Sequence, residues 1–212
     1  MLLAAAGLLI VKVAISVMIG YRRYLPPDFS SDFLLGREAY FFGPYRWAFY
    51  AHCLAGPLSL LVGTLLIGER LRRYAPKWHR RLGRAQMIVV LFVLVPSGLW
   101  MAPYAATGAI AAVGLALLAI ATATCAALGW RAAVARQFDQ HQQWMWRTYL
   151  LLCSAVVIRL LGGLAAVLNW DADWYYPLSV WTSWLAPLLA FEALARFRGP
   201  IAQVGEEKTR ST

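Results

Sequence analysis

The sequence predicts an all-α, polytopic integral membrane protein: a bundle of six transmembrane helices with both termini in the cytoplasm. Three observations carry that expectation. Six apolar runs approach or exceed the ~20 residues that a helix needs to cross hydrocarbon. Lysine and arginine gather on alternate connections between those runs. Tryptophans mark the ends of the runs, where a ring with a polar N–H suits the interface.

Composition agrees with the runs. Hydrophobic residues make up 61% of the 212-residue chain and charged ones 14%, against about 25% charged in soluble domains. Mean hydropathy is +0.57.

The first run, about 1–20, reads as a retained helix and not a cleaved leader. It has no basic start and no small-x-small cleavage site before Tyr21, and it carries Lys12 inside. A long connection follows, 21–45. It contains "YLPPDFSSDF" and "FFGPYR" and is expected to be an ordered or surface-lying loop. The second run spans about 46–68. The third, about 86–105, contains "VPSGLWMAPY", where Pro96 frees a backbone carbonyl and breaks or kinks the helix. The fourth, fifth and sixth runs cover about 108–130, 145–168 and 174–196. Residues 1–198 form a single membrane domain. Residues 199–212, ending "GEEKTRST", are expected as a disordered cytoplasmic tail.

The formal net charge is +10. On a soluble protein that balance would suggest nucleic acid. Here the basic residues stand between apolar runs, so nucleic acid is not expected as a partner. The pattern fits a bilayer with anionic headgroups and control of topology. The connections at 69–85 and 131–144, Arg147 and the C-terminal segment hold fourteen Lys and Arg. The opposite side holds only Arg22, Arg23, Arg37 and Arg46. The positive-inside rule then places both termini in the cytoplasm. Cys53, Cys125 and Cys153 all fall in apolar runs, without a CxxC. A disulfide framework or cysteine-based zinc site is not expected.

Charged and polar groups inside a span are costly and mark candidate sites. Four stand out: Lys12, His52, Arg159 and Glu192. Gly56, Ser59 and Gly63 continue the face of His52 at spacings of four, three and four. Such a polar and small stripe suits a helix–helix seam. Arg159 sits at a similar depth. The second and fifth helices are therefore expected to pack with His52 and Arg159 close together. That arrangement makes either an interhelical hydrogen-bond pair or a polar pocket for a quinone, a haem edge, an anion or a proton. Lys12 and Glu192 lie near run ends and can snorkel.

Two basic boxes resemble each other, "KWHRRLGRAQM" at 77–87 and "DQHQQWMWRTY" at 139–149. They place His79 and His141 just before the third and fifth helices, beside Arg80, Arg81, Arg84 and Arg147. One expectation is a lipid- or anion-binding patch at helix N-termini. The other is that the two imidazoles share one haem iron or metal ion. No P-loop, HExxH, dinucleotide fingerprint or nucleophile–base arrangement is present. A stand-alone catalytic constellation is therefore absent, and an electron-transfer role stays open.

"FYAHCLAGPLSLLVGTLL", "KWHRRLGRAQM" and "HQQWMWRTYLLLCSAVVIRLL" together resemble a bacterial family of predicted multi-pass membrane proteins, a domain of unknown function. The boxes are FYAH, HRxxGR and HxxWMxR[ST]Y, followed by an intrahelical arginine, and they cover about 45–170. The resemblance implies fold and location. It marks His52, His79, Arg80, Gly83, Arg84, His141, Trp144, Met145, Arg147, Tyr149 and Arg159 as motif positions. Trp146 stands where an aliphatic residue is more usual.

Three function classes follow. The first is an accessory or lipid- and partner-binding subunit of a larger membrane complex or homo-oligomer. The second is a redox protein that interacts with haem b or quinone through His52, His79, His141 and Arg159. The third is a transporter of a small anion or proton along Lys12, His52 and Arg159.

Overall fold

The computed structural model describes the backbone of residues 2–31, 33–105, 107–170 and 172–210, and the side chains of residues 7–31, 33–105, 107–170 and 172–196. The described chain is helical, without strands. We number its long helices α1 (Leu2–Gly20), α2 (Glu38–Ile67), α3 (Pro76–Tyr104), α4 (Ala109–Val134), α5 (Phe138–Val167) and α6 (Tyr175–Arg210). Among the described residues, five helices are long and apolar enough to cross a membrane: α2 to α5, and α6 as far as Arg196. The last helix continues to Arg210, over much of the segment expected as a disordered tail. Residues 211 and 212 lie outside the described residues.

Three helices begin well before their apolar runs, α2 at Glu38 among them. α3 starts at Pro76, a residue whose fixed φ and missing N–H suit a first helical turn. α5 starts at Phe138. Counting apolar residues truncates such helices, because the helix runs on into the polar interface. His79 and His141 therefore lie within α3 and α5, not before them. This corrects the sequence expectation.

Helix packing places α2 centrally, against α1, α3 and α5. α4, α5 and α6 pack against one another as a second unit, and α3 joins α2 to α4. Small residues set the close approaches, as is common between membrane helices. A Cβ added to Gly114 of α4 would stand 2.9 Å from Val180 and 3.0 Å from the Trp181 ring of α6. One at Gly63 of α2 would stand 3.2 Å from Tyr149 of α5. Polar groups inside the spans find local partners: Thr64, Thr122, Thr148 and Ser179 each donate to the carbonyl four residues back. Gln86 donates to the Ser59 carbonyl at 2.8 Å and ties α3 to α2.

Kinks follow from the sequence. α2 bends at Gly43–Pro44, where Gly43 leaves helical geometry with ψ −156°. α3 widens into a π turn at Val90–Leu94, just before Pro96. Proline cannot donate to the helix ladder and its ring crowds the carbonyl four residues back.

The 21–45 connection folds into a packed aromatic cap. Leu34, Phe41, Tyr45 and Phe49 form its buried centre, with Tyr24, Phe29, Tyr40, Tyr50 and Tyr104 around them. Arg37 lies inside this cap, only 8% exposed. Its guanidinium donates to the carbonyls of Phe33 and Tyr104 at 2.6 and 2.7 Å and to the hydroxyls of Tyr40 and Tyr45, both at 3.2 Å. It also sits over the Phe33 ring, 4.7 Å from the centroid.

Candidate functional site

Polar chemistry collects at both ends of the bundle. At the capped end, Leu9, Lys12, Val13, Ser16 and Val17 of α1 face Arg159 and Leu160 of α5 across a groove of about 360 Å³. Helical spacing explains the α1 set, since Leu9, Lys12, Val13, Ser16 and Val17 fall three or four apart on one face. Arg159 donates from Nη1 to the Ala155 carbonyl one turn back, at 2.9 Å. Among the described residues, no acidic residue lines the groove. Two cations and a hydroxyl thus stand among apolar walls.

His52 and Arg159 are sent to different neighbours. His52 Nδ1 lies 3.2 Å from Ser97 Oγ of α3. Ser97 commits its own proton to the Leu94 carbonyl at 3.0 Å, so His52 Nδ1–H is the donor of the pair. Gly98 lets the imidazole lie against α3, because a Cβ there would stand 3.2 Å from its Cε1. His52 thus joins α2 to α3, while Arg159 turns to α1. α2 and α5 pack together as expected, and among the described residues the groove that Arg159 lines does not include His52. Asp171, a candidate partner for Arg159, lies outside the described residues, and Asp173 is exposed.

At the opposite end, Arg147 and Glu192 form a bidentate ion pair between α5 and α6. Arg147 Nε donates to Glu192 Oε1 at 2.6 Å and Nη2 donates to Oε2 at 3.0 Å. The guanidinium lies between the rings of Trp144 and Phe191, 4.7 and 5.4 Å from their centroids. Arg147 is thereby drawn away from Arg80, Arg81 and Arg84, which remain exposed. Arg81 lies over Trp78, and Arg84 Nε donates to the Arg80 carbonyl at 3.3 Å.

His79 and His141 each occupy the fourth position of their helices. His141 Nδ1 stands 2.9 Å from the Gly129 carbonyl of α4. A carbonyl only accepts, so Nδ1–H is the donor of this pair. His79 Nδ1 is buried without a hydrogen-bond partner. Among the described residues no group of three or more His, Cys, Asp or Glu converges to hold a metal ion.

Sequence reasoning missed three contributors: Ser16 in the groove, Ser97 as partner of His52, and Glu192 as partner of Arg147. For Glu192 a signal was available, because it and Arg147 lie near the same end of neighbouring helices. The serines carry no such mark.

Several long apolar helices, with polar groups concentrated towards the two ends, define a multi-pass membrane protein. The family model described as "Predicted membrane protein (DUF2306)" matches residues 49–195, and the chain belongs to that family. No curated protein and no solved structure matches it.

Proposed function

We propose that this is a lipid-binding accessory protein of the bacterial inner membrane, with six spans and both termini cytoplasmic. The site is the groove between α1 and α5, which opens in the outer half of the bilayer. One observation carries this reading: Lys12 and Arg159 line the same groove, with no carboxylate lining it among the described residues. A charged group inside a span needs a counter-charge, water or a route to the headgroups. An anionic lipid supplies the first and suits the rest of the groove. Its phosphate would lie between the ammonium of Lys12 and the guanidinium of Arg159, with Ser16 as a neutral donor. Its chains would run along Leu9, Val13, Val17 and Leu160. The sixth span is α1, which carries Lys12 and five of the seven lining residues. The orientation rests on the fourteen-to-four asymmetry of Lys and Arg.

The test is thermal unfolding of detergent-purified protein with added phosphatidylglycerol or phosphatidylcholine. A ligand that binds only the folded state raises its apparent stability. Phosphatidylglycerol should raise the melting temperature of the wild type more than phosphatidylcholine does. Lys12→Gln and Arg159→Gln should each shrink that difference, and the double variant should abolish it. Equal stabilisation by the two lipids, or an unchanged preference in the double variant, would refute the site.

A further inference from the structure

The charges in the α1–α5 groove also bear on which anionic lipid it takes. Resting on the lipid reading above, we propose that the groove selects lipid phosphomonoesters, the phosphatidic acid class, over phosphodiesters such as phosphatidylglycerol.

Charge balance is the first reason. Lys12 and Arg159 line one groove, and its five other lining residues are neutral. Charges taken out of water are costly until they are paired. A phosphodiester brings one negative charge and leaves one cation unmatched. A terminal phosphate monoester carries about −1.5 to −2 near neutral pH and answers both. A headgroup with its own ammonium would add a third cation, and no carboxylate among the described residues lines the groove to receive it.

Hydrogen bonding is the second reason. A guanidinium is a planar fork that takes two phosphate oxygens at once. Arg159 commits one Nη1–H to the Ala155 carbonyl at 2.9 Å, which leaves it other donors for such a grip. A diester has two unesterified oxygens, and the fork occupies both. A monoester has a third, which is free for the ammonium of Lys12 or the hydroxyl of Ser16. The monoester therefore uses both cations without making them share an acceptor.

The walls point to a lipid and not to free phosphate. Leu9, Val13, Val17 and Leu160 complete a lining that is mostly apolar, around a volume of about 360 Å³. Acyl chains can lie along these side chains. Inorganic phosphate has no apolar part to meet them.

The experiment compares phosphatidic acid, phosphatidylglycerol, phosphatidylcholine and inorganic phosphate on the intact, detergent-purified protein. Binding is titrated by native mass spectrometry at about pH 8, where the monoester is doubly ionised. Phosphatidic acid should bind roughly tenfold tighter than phosphatidylglycerol, the worth of one more charge-assisted hydrogen bond. Phosphatidylglycerol should in turn bind ahead of phosphatidylcholine. Lys12→Gln should bring phosphatidic acid down to the level of phosphatidylglycerol, and Lys12→Arg should keep the two apart. The ranking is read on unmutated protein, so a variant that misfolds cannot obscure it. Phosphatidic acid no tighter than phosphatidylglycerol, with both ahead of phosphatidylcholine, would overturn the selectivity and leave the anionic-lipid reading standing. Equal binding of all three lipids would remove both. Displacement of phosphatidic acid by an equal concentration of inorganic phosphate would overturn the lipid as the source of the phosphate.

Discussion

Two arginines at the capped end are used in opposite ways. Arg37 is 8% exposed and meets four acceptors from three surrounding segments. Arg159 is exposed on the bundle surface and, among the described residues, has one hydrogen bond, to its own helix. The first is enclosed by tyrosines and carbonyls that leave its guanidinium little unmet need. The second faces an apolar groove beside another cation. A charge whose donors are satisfied inside the fold contributes to holding the fold. A charge left open within the membrane is available to a ligand. The residue type is the same, and the surroundings decide.

The largest expected effect breaks the structural member of the comparison. Arg37→Ala strips the Tyr40 and Tyr45 hydroxyls and two carbonyls of a buried partner. It should cost about 3 kcal/mol or more, because unmade buried hydrogen bonds are expensive. Arg37→Lys should recover only part of that, since an ammonium cannot reproduce the planar fork. Unfolding in mixed detergent micelles would check both. By contrast, Arg159→Gln should change stability without added lipid by less than about 0.5 kcal/mol.

The Arg147–Glu192 pair lies between these extremes, with side chains 16% and 35% exposed. Glu192→Gln should cost about 2 kcal/mol, because it leaves a partly buried guanidinium without its counter-charge. A double-mutant cycle with Arg147→Gln would isolate the coupling. Gly114→Ala should cost about 1–3 kcal/mol, since its Cβ would press on Val180 and the Trp181 ring. The smallest effect belongs to Glu69 and Arg73, an exposed i,i+4 pair. Glu69→Gln should cost less than about 0.5 kcal/mol and become silent in high salt.

One pH effect falls outside the spans. The Ser30 hydroxyl and amide donate to Asp28 Oδ1 at 2.6 and 2.9 Å and hold its carboxyl below the ordinary carboxylate range. The bonds favour the ionised form, so their contribution is present above the ordinary carboxylate pKa. It fades as pH falls through the lowered value. Carboxyl chemical shifts titrated across the acid range would read this directly.

The spans were legible in the sequence because hydrocarbon thickness imposes a run length that any reader can count. The ends were not, since α3 and α5 extend through polar turns that carry no apolar signal. The candidate sites were legible residue by residue, as intrahelical charges and histidine boxes. Their partners were harder to see. Lys12 and Arg159 are brought together only by the packing of α1 on α5, and His52 finds Ser97 through the approach at Gly98. Arg37 was counted for topology alone. Nothing local distinguishes an arginine that a loop will enclose from one that it will leave in water.

The most direct test of this contrast is native mass spectrometry of the wild type, Arg37→Lys and Lys12→Gln, Arg159→Gln proteins, each released from detergent containing phosphatidylglycerol and phosphatidylcholine. The wild type should retain phosphatidylglycerol in preference. Folded Arg37→Lys protein should retain it equally, despite its lower stability. The Lys12→Gln, Arg159→Gln protein should lose the preference while keeping its stability. A double variant that still selects the anionic lipid would contradict the account.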